Sequence, residues 1–139
     1  MTDAKHDPLA GVYGTWKLVR GQSKDPNGEP LPPPYGGEKA IGNVVLTRDG
    51  RMAAVLIDGR PKLPEGATRE YTSYCGAFTF DGETLITRVD ACSDPARMHT
   101  DQIRNVRFEN GLMILQPPPK DINGIIYHRE LSWRKIADG

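Results

Sequence analysis

Apolar and polar residues alternate over short stretches of this chain, and no segment of a dozen residues keeps a helical period. The alternating stretches predict eight strands: Gly14–Arg20, Gly42–Thr47, Met52–Ile57, Tyr71–Phe80, Thr84–Cys92, Ile103–Phe108, Leu112–Gln116 and Ile126–Ile136. Three connections are short and centred on Asp49-Gly50, Asp81-Gly82 and Asn110-Gly111. Such dipeptides suit two-residue hairpin turns, because Asn, Asp and Gly tolerate the positive φ those turns need. The other four connections, Gly21–Ile41, Asp58–Glu70, Ser93–Gln102 and Pro117–Ile125, are long. Successive connections in an up-and-down meander alternate between its two ends. The order here therefore puts every tight turn at one end and every long loop at the other. The expected architecture is all-β: a single antiparallel up-and-down barrel of eight strands, or slightly more, with one closed end and one open rim. It would form one domain over residues 1–139, of which 1–10 make a flexible N-terminal tail.

Hairpin register then sorts side chains into faces. A two-residue turn at Asp81-Gly82 turns Phe80, Phe78, Gly76, Tyr74 and Thr72 inward with Leu85, Thr87, Val89 and Ala91. The same register sets Cys75 opposite Arg88 and Cys92 opposite Tyr71, both outward and several rungs apart, so free thiols are expected. Around Asn110-Gly111 the inward set is Phe108, Val106, Met113 and Leu115, and Arg104 shares that parity. At Asp49-Gly50 two sets compete for the interior: Val44, Leu46, Val55 and Ile57 against Val45, Met52, Ala54 and Leu56.

Composition narrows the function classes. Lysine plus arginine matches aspartate plus glutamate at 18 each, so no charge excess draws the chain to nucleic acid or an anionic membrane. The polar start Met1–Pro8 lacks the apolar run of a signal peptide, which makes the cytoplasm the expected compartment. His-x-His and Cys-x-x-Cys spacings are absent, as is a phosphate-cradling glycine loop, so neither a metal nor a cofactor is expected.

The first strand opens Gly14-Thr15-Trp16-Lys17-Leu18-Val19, and further motifs follow in order. They are Asp49-Gly50-Arg51-Met52, Tyr74-Cys75-Gly76-Ala77-Phe78, Thr100-Asp101-Gln102-Ile103-Arg104 and Leu131-Ser132-Trp133-Arg134. Together they resemble the bacterial and fungal lipocalin-like domain family across nearly the whole chain. The resemblance implies a small-molecule-binding barrel whose closed end is plugged by Trp16. One departure is Leu85-Ile86-Thr87-Arg88-Val89, a strand in which family members often carry histidine. The family has no single reaction to carry over.

Candidate chemistry clusters at the open end. Arg104 begins its strand there and points inward, so a guanidinium in an apolar cavity could clamp a carboxylate, enolate or phenolate. Its alternative is an internal pair with Glu70 or stacking on an aromatic ring. Tyr74 could donate a hydrogen bond or a proton, and Glu70 or His99 could move a proton at the rim. With these four as catalytic candidates, the ligand-binding candidates are Arg20, Tyr35, Thr72, Phe78, Thr87, Val89, Leu115 and Arg129. The proline-rich segment Asp25–Gly37 suits a lid that carries Leu31 and Tyr35 over the mouth, with a hinge at Gly36-Gly37. The expected ligand is small, partly apolar and anionic. The residues leave open whether it is turned over by a cofactor-free isomerase, cyclase, lyase or hydrolase, carried or sensed, or whether the barrel is a filled interaction module. A homodimer is also left open.

Overall fold

The computed structural model describes residues 11–139, and the tail expected at residues 1–10 lies outside them. Ten strands follow in order: β1 Gly14–Lys24, β2 Pro30–Leu31, β3 Ala40–Leu46, β4 Arg51–Asp58, β5 Tyr71–Phe80, β6 Thr84–Cys92, β7 Asp101–Glu109, β8 Leu112–Gln116, β9 Lys120–Ile122 and β10 Ile125–Asp138. Eight of them form a closed antiparallel barrel, because β10 pairs with β8 on one side and with β1 on the other. The short strands β2 and β9 hang from β1 and β10 at the open rim. The all-β up-and-down barrel read from the sequence is the fold. Among the described residues, no helix is long and apolar enough to cross a membrane.

The three short connections differ in geometry. Asn110-Gly111 is a two-residue turn, with Glu109 opposite Leu112 and positive φ at both turn residues. At Asp49-Gly50 the loop has three residues, Arg48–Gly50, closed by bonds from Gly50 N to Thr47 O and from Thr47 N to Arg51 O. That odd count sets Leu46 opposite Met52 and resolves the competition between faces. Val44 and Leu46 are buried with Met52, Ala54 and Leu56, while Val45 and Val55 face outward. The connection at Asp81-Gly82 extends to Glu83, and Phe80 faces Leu85 rather than Glu83. The Asp81 carboxylate accepts from Glu83 N at 2.9 Å and Thr84 N at 2.7 Å, and these bonds hold it below the usual carboxylate range.

A register error of two residues leaves every side chain on its expected face, and Leu85, Thr87 and Val89 are indeed buried. One-residue insertions do not forgive in that way. In β6 the register passes from Gly76–Val89 to Cys75–Ala91, which makes Asp90 the extra residue. Ala91 is therefore exposed rather than inward, and Cys92 lies opposite Tyr74 rather than Tyr71. Both cysteines are free thiols. Burial, followed by Asp90, pushes the Cys75 thiol up, which makes it a poor nucleophile.

The core fills the closed end. Trp16 is buried there and donates from Nε1 to Val12 O at 3.0 Å. Phe108, expected inward, is instead half-exposed with its ring 6.4 Å from that of Trp16. Trp16 and Met113 already occupy the narrow base, so the phenyl ring covers it from the side. Gly76 marks the tightest backbone approach: a Cβ there would lie 1.9 Å from Arg88 O.

Two glycine substitutions should separate crowding from backbone strain. Gly111→Ala meets no neighbouring atom and keeps only the penalty of its positive φ, about 1 kcal/mol. Gly76→Ala must displace the β6 backbone and should cost about 3 kcal/mol. Urea unfolding of both variants checks the order; equal losses would contradict it.

Candidate functional site

All four long loops gather at the open rim, and the first of them closes it. The segment Pro34–Lys39 forms a 3-10 turn whose middle residues, Tyr35, Gly36 and Gly37, all have positive φ. Glycine adopts this backbone freely; Tyr35, at φ 55°, does not. Two hydrogen bonds hold it there. Its backbone N donates to Glu70 Oε1 at 2.8 Å and its hydroxyl donates to Thr72 Oγ1 at 2.8 Å. The ring packs against the core, and burial raises the phenol above its ordinary value.

Beneath this segment lies a buried ionic latch. Asp58 is 2 % exposed and accepts from Arg60 Nε at 3.0 Å and Nη2 at 2.6 Å, and from Arg60 N at 3.0 Å. Arg69 ties the same corner by donating to the carbonyls of Asp58 and Arg60. A Cβ on Gly36 would lie 2.4 Å from Asp58 Oδ1, so the lid rests directly on the latch.

The third long loop brings a residue that the sequence reading did not select. Asp94 accepts from Ala96 N and starts a short turn, Pro95–Arg97. His99 N donates to Val89 O, and Val89 N donates to Thr100 O, which folds the loop back along the end of β6. Arg97 thereby lines the mouth, while His99 is exposed.

Two small adjoining voids, of about 40 and 60 Å³, run inward from the rim. Tyr35, Arg97, Arg104 and Leu131 wall both. The inner one continues past Thr72, Tyr74 and Leu115 to Trp133. The outer one adds Arg129, with Pro34 and Pro117 from two of the loops. Volumes of this size hold a few water molecules with Tyr35 in place, so a larger guest requires the tyrosine to move. A wider depression of about 420 Å³ lies on the outer wall of β4–β6 around Ala53, Val55, Ser73 and Cys75, and no charged side chain lines it.

Electrostatically the mouth is one-signed. Among the described residues, Arg104 has no carboxylate partner; it donates to Ile103 O at 2.8 Å and Gln102 Oε1 at 3.3 Å. Burial pushes its guanidinium down from the ordinary value; Tyr74 opposes that shift, and the charges of Arg97 and Arg129 add to it. Arg129 Nε is buried without a hydrogen-bond partner. Among the described residues, the one ion pair of Arg97 is a loose contact with Asp94 at 3.8 Å. No carboxylate, histidine or amide side chain lines either void among the described residues.

The structure thus brings Tyr35, Thr72, Tyr74, Arg104, Leu115 and Arg129 together. Glu70 stands just outside, bonded to the backbone of Tyr35 rather than to Arg104. Arg20 is a correction. Val19 is an extra residue in β1, which reverses the parity after Leu18, and Arg20 lines an outer groove with Gln22 and Lys24. Leu31 lies in that groove too, not over the mouth. Thr87 and Val89 are buried but do not border the voids, and the Phe78 ring lies 6.3 Å from that of Tyr13. The lining residues missed were Arg97, whose inward turn depends on distant backbone bonds, the loop residues Pro34 and Pro117, and Leu131, Trp133, Val44, Met52, Ala54 and Leu56. Alternation already put these last six in strands, and register alone chose their face.

A family model described as a lipocalin-like domain matches residues 13–136 of this chain. No curated protein matches it.

The latch predicts a pH dependence. Arg60, through its hydrogen bonds, holds the folded Asp58 carboxyl below its ordinary value, despite opposing desolvation. Its stabilisation is therefore present above the unfolded carboxylate pKa of about 4 and fades as the pH falls through the lower, folded value. Asp58→Asn should melt below the wild type at pH 7, and the gap should close toward pH 3. A gap independent of pH would contradict the assignment.

Proposed function

The chain belongs to the lipocalin-like domain family, and from that premise we propose that its barrel binds a small, partly apolar anion. The observation that carries this reading is Arg104, turned into the barrel without a carboxylate and flanked by Arg97 and Arg129. A desolvated guanidinium is costly unless paired, and three around one opening repel one another. An anionic guest answers both costs. Leu115 and Leu131 supply apolar wall for the rest of the molecule, and Tyr35 covers it.

Binding is favoured over acid–base turnover by where the proton-moving groups lie. Glu70 is committed to the Tyr35 backbone, and His99 is exposed and borders neither void. A carrier or sensor needs only the arginines and the apolar wall. Turnover in the same pocket would rest on Tyr74, which borders the inner void together with Arg104.

Calorimetric titration with a panel of monocarboxylates, from acetate to octanoate and benzoate, tests the proposal. Arg104→Ala should weaken the best of them at least tenfold while keeping the wild-type circular dichroism spectrum, because a charge-assisted bond contributes about 1.5–3 kcal/mol. Undiminished affinity in a folded variant would refute it.

A further inference from the structure

The two tryptophans of the barrel are treated differently. The Trp16 indole donates to Val12 O, so its polar atom is satisfied within the closed end. Trp133 is 1 % exposed, yet its Nε1 has no hydrogen-bond partner among the described residues. Its side chain borders the inner void together with Arg104, Tyr74 and Thr72. Buried donors in folded proteins are nearly always paired, and an unpaired one on a residue that lines a cavity points to a partner from outside the chain, a ligand or a water.

The other polar side chains of that void also carry donors, although the Tyr35 and Tyr74 hydroxyls can accept as well. Thr72 Oγ1 accepts the Tyr35 proton, which leaves its own hydrogen to be given away. Arginine and indole can only donate. The void thus offers hydrogen-bond donors at both ends and apolar side chains between. Trp133 stands four residues beyond Arg129 on β10, about 13 Å deeper along the strand. A simple alkyl carboxylate would satisfy the arginines and leave the indole bare.

We propose that the Trp133 N–H reads a second hydrogen-bond acceptor on the apolar part of the ligand. The ligand class is then a small anion with a carbonyl or ether oxygen several atoms from its charged head, such as an oxo-carboxylate. This rests on the anion-binding reading above and adds the specificity determinant to it.

Matched probe pairs test it: 4-oxopentanoate, 5-oxohexanoate and 6-oxoheptanoate against pentanoate, hexanoate and heptanoate, each titrated into wild type and Trp133→Phe. In at least one pair the wild type should bind the oxo acid about tenfold tighter, by the worth of one hydrogen bond to a buried donor. Trp133→Phe, which keeps an aromatic ring and loses the N–H, should erase that ratio and leave the unsubstituted acid unchanged. Should this variant fold poorly, the wild-type indole proton resonances decide. The Trp133 signal should move with the oxo acid and not with its partner, while that of Trp16 stays still. Equal binding within every pair, both members depending on Arg104, would overturn the role of Trp133, leave its N–H to water and spare the anion site. Failure of all six probes to bind would remove the anion site and this inference together.

Discussion

Pairing of β1 with β10 closes the sheet, and every other property of this molecule depends on that seam. An open sheet of these strands would have two wet faces and two bare edges. Closure creates one interior, and alternation along each strand then divides the side chains between core and solvent. The seam is not perfectly regular. It carries an extra residue at Val19 on β1 and another at Ile136 on β10. The Val19 insertion turns Arg20 out of the barrel and sets Gly21 opposite Leu131 and Ser23 opposite Arg129 on the inner side. The side-chain content of the rim is thus decided by one residue of register.

The interior is built as two zones with different physics. The lower zone is packed by Trp16, Leu46, Met113 and Leu85, all nearly inaccessible, and supplies the hydrophobic stabilisation. The upper zone gives up stability: a desolvated arginine without a carboxylate, a tyrosine in a left-handed backbone, and an indole N–H without a partner. Each is a local cost that the packed lower zone can bear. All three border the two adjoining voids, and costs gathered around one cavity mark a candidate site rather than scattered imperfection. The Tyr35 segment rests on the Asp58–Arg60 latch and is bonded to Glu70 and Thr72, so displacing Tyr35 would break those two hydrogen bonds.

Much of this was legible in the residues themselves, for identifiable reasons. The strand bounds Tyr71–Phe80, Thr84–Cys92 and Leu112–Gln116 coincide with those observed, because Asx-Gly turns and β-branched or aromatic runs mark them locally. Arg104 was placed on its proper face because Asn110-Gly111 is a true two-residue turn. Tyr74 and Thr72 survived a wrong register at Asp81-Gly82 because the error was an even number. Arg20, Ala91 and Cys92 did not survive single-residue bulges, which leave no mark in hydrophobic alternation. Arg97 was out of reach for another reason: its position is set by hydrogen bonds between the Ser93–Thr100 loop and Val89, residues apart in sequence and joined only by the fold.

The proposed anion site lies between Arg97, Arg104 and Arg129 at the open end of this barrel. Anomalous diffraction from crystals soaked in sodium bromide tests it most directly, since bromide is small enough to enter with Tyr35 in place. The account predicts a bromide peak within the mouth, in contact with Arg104 and at least one of the other two guanidiniums. Peaks confined to exposed arginines on the outer wall, with the mouth empty, would contradict it.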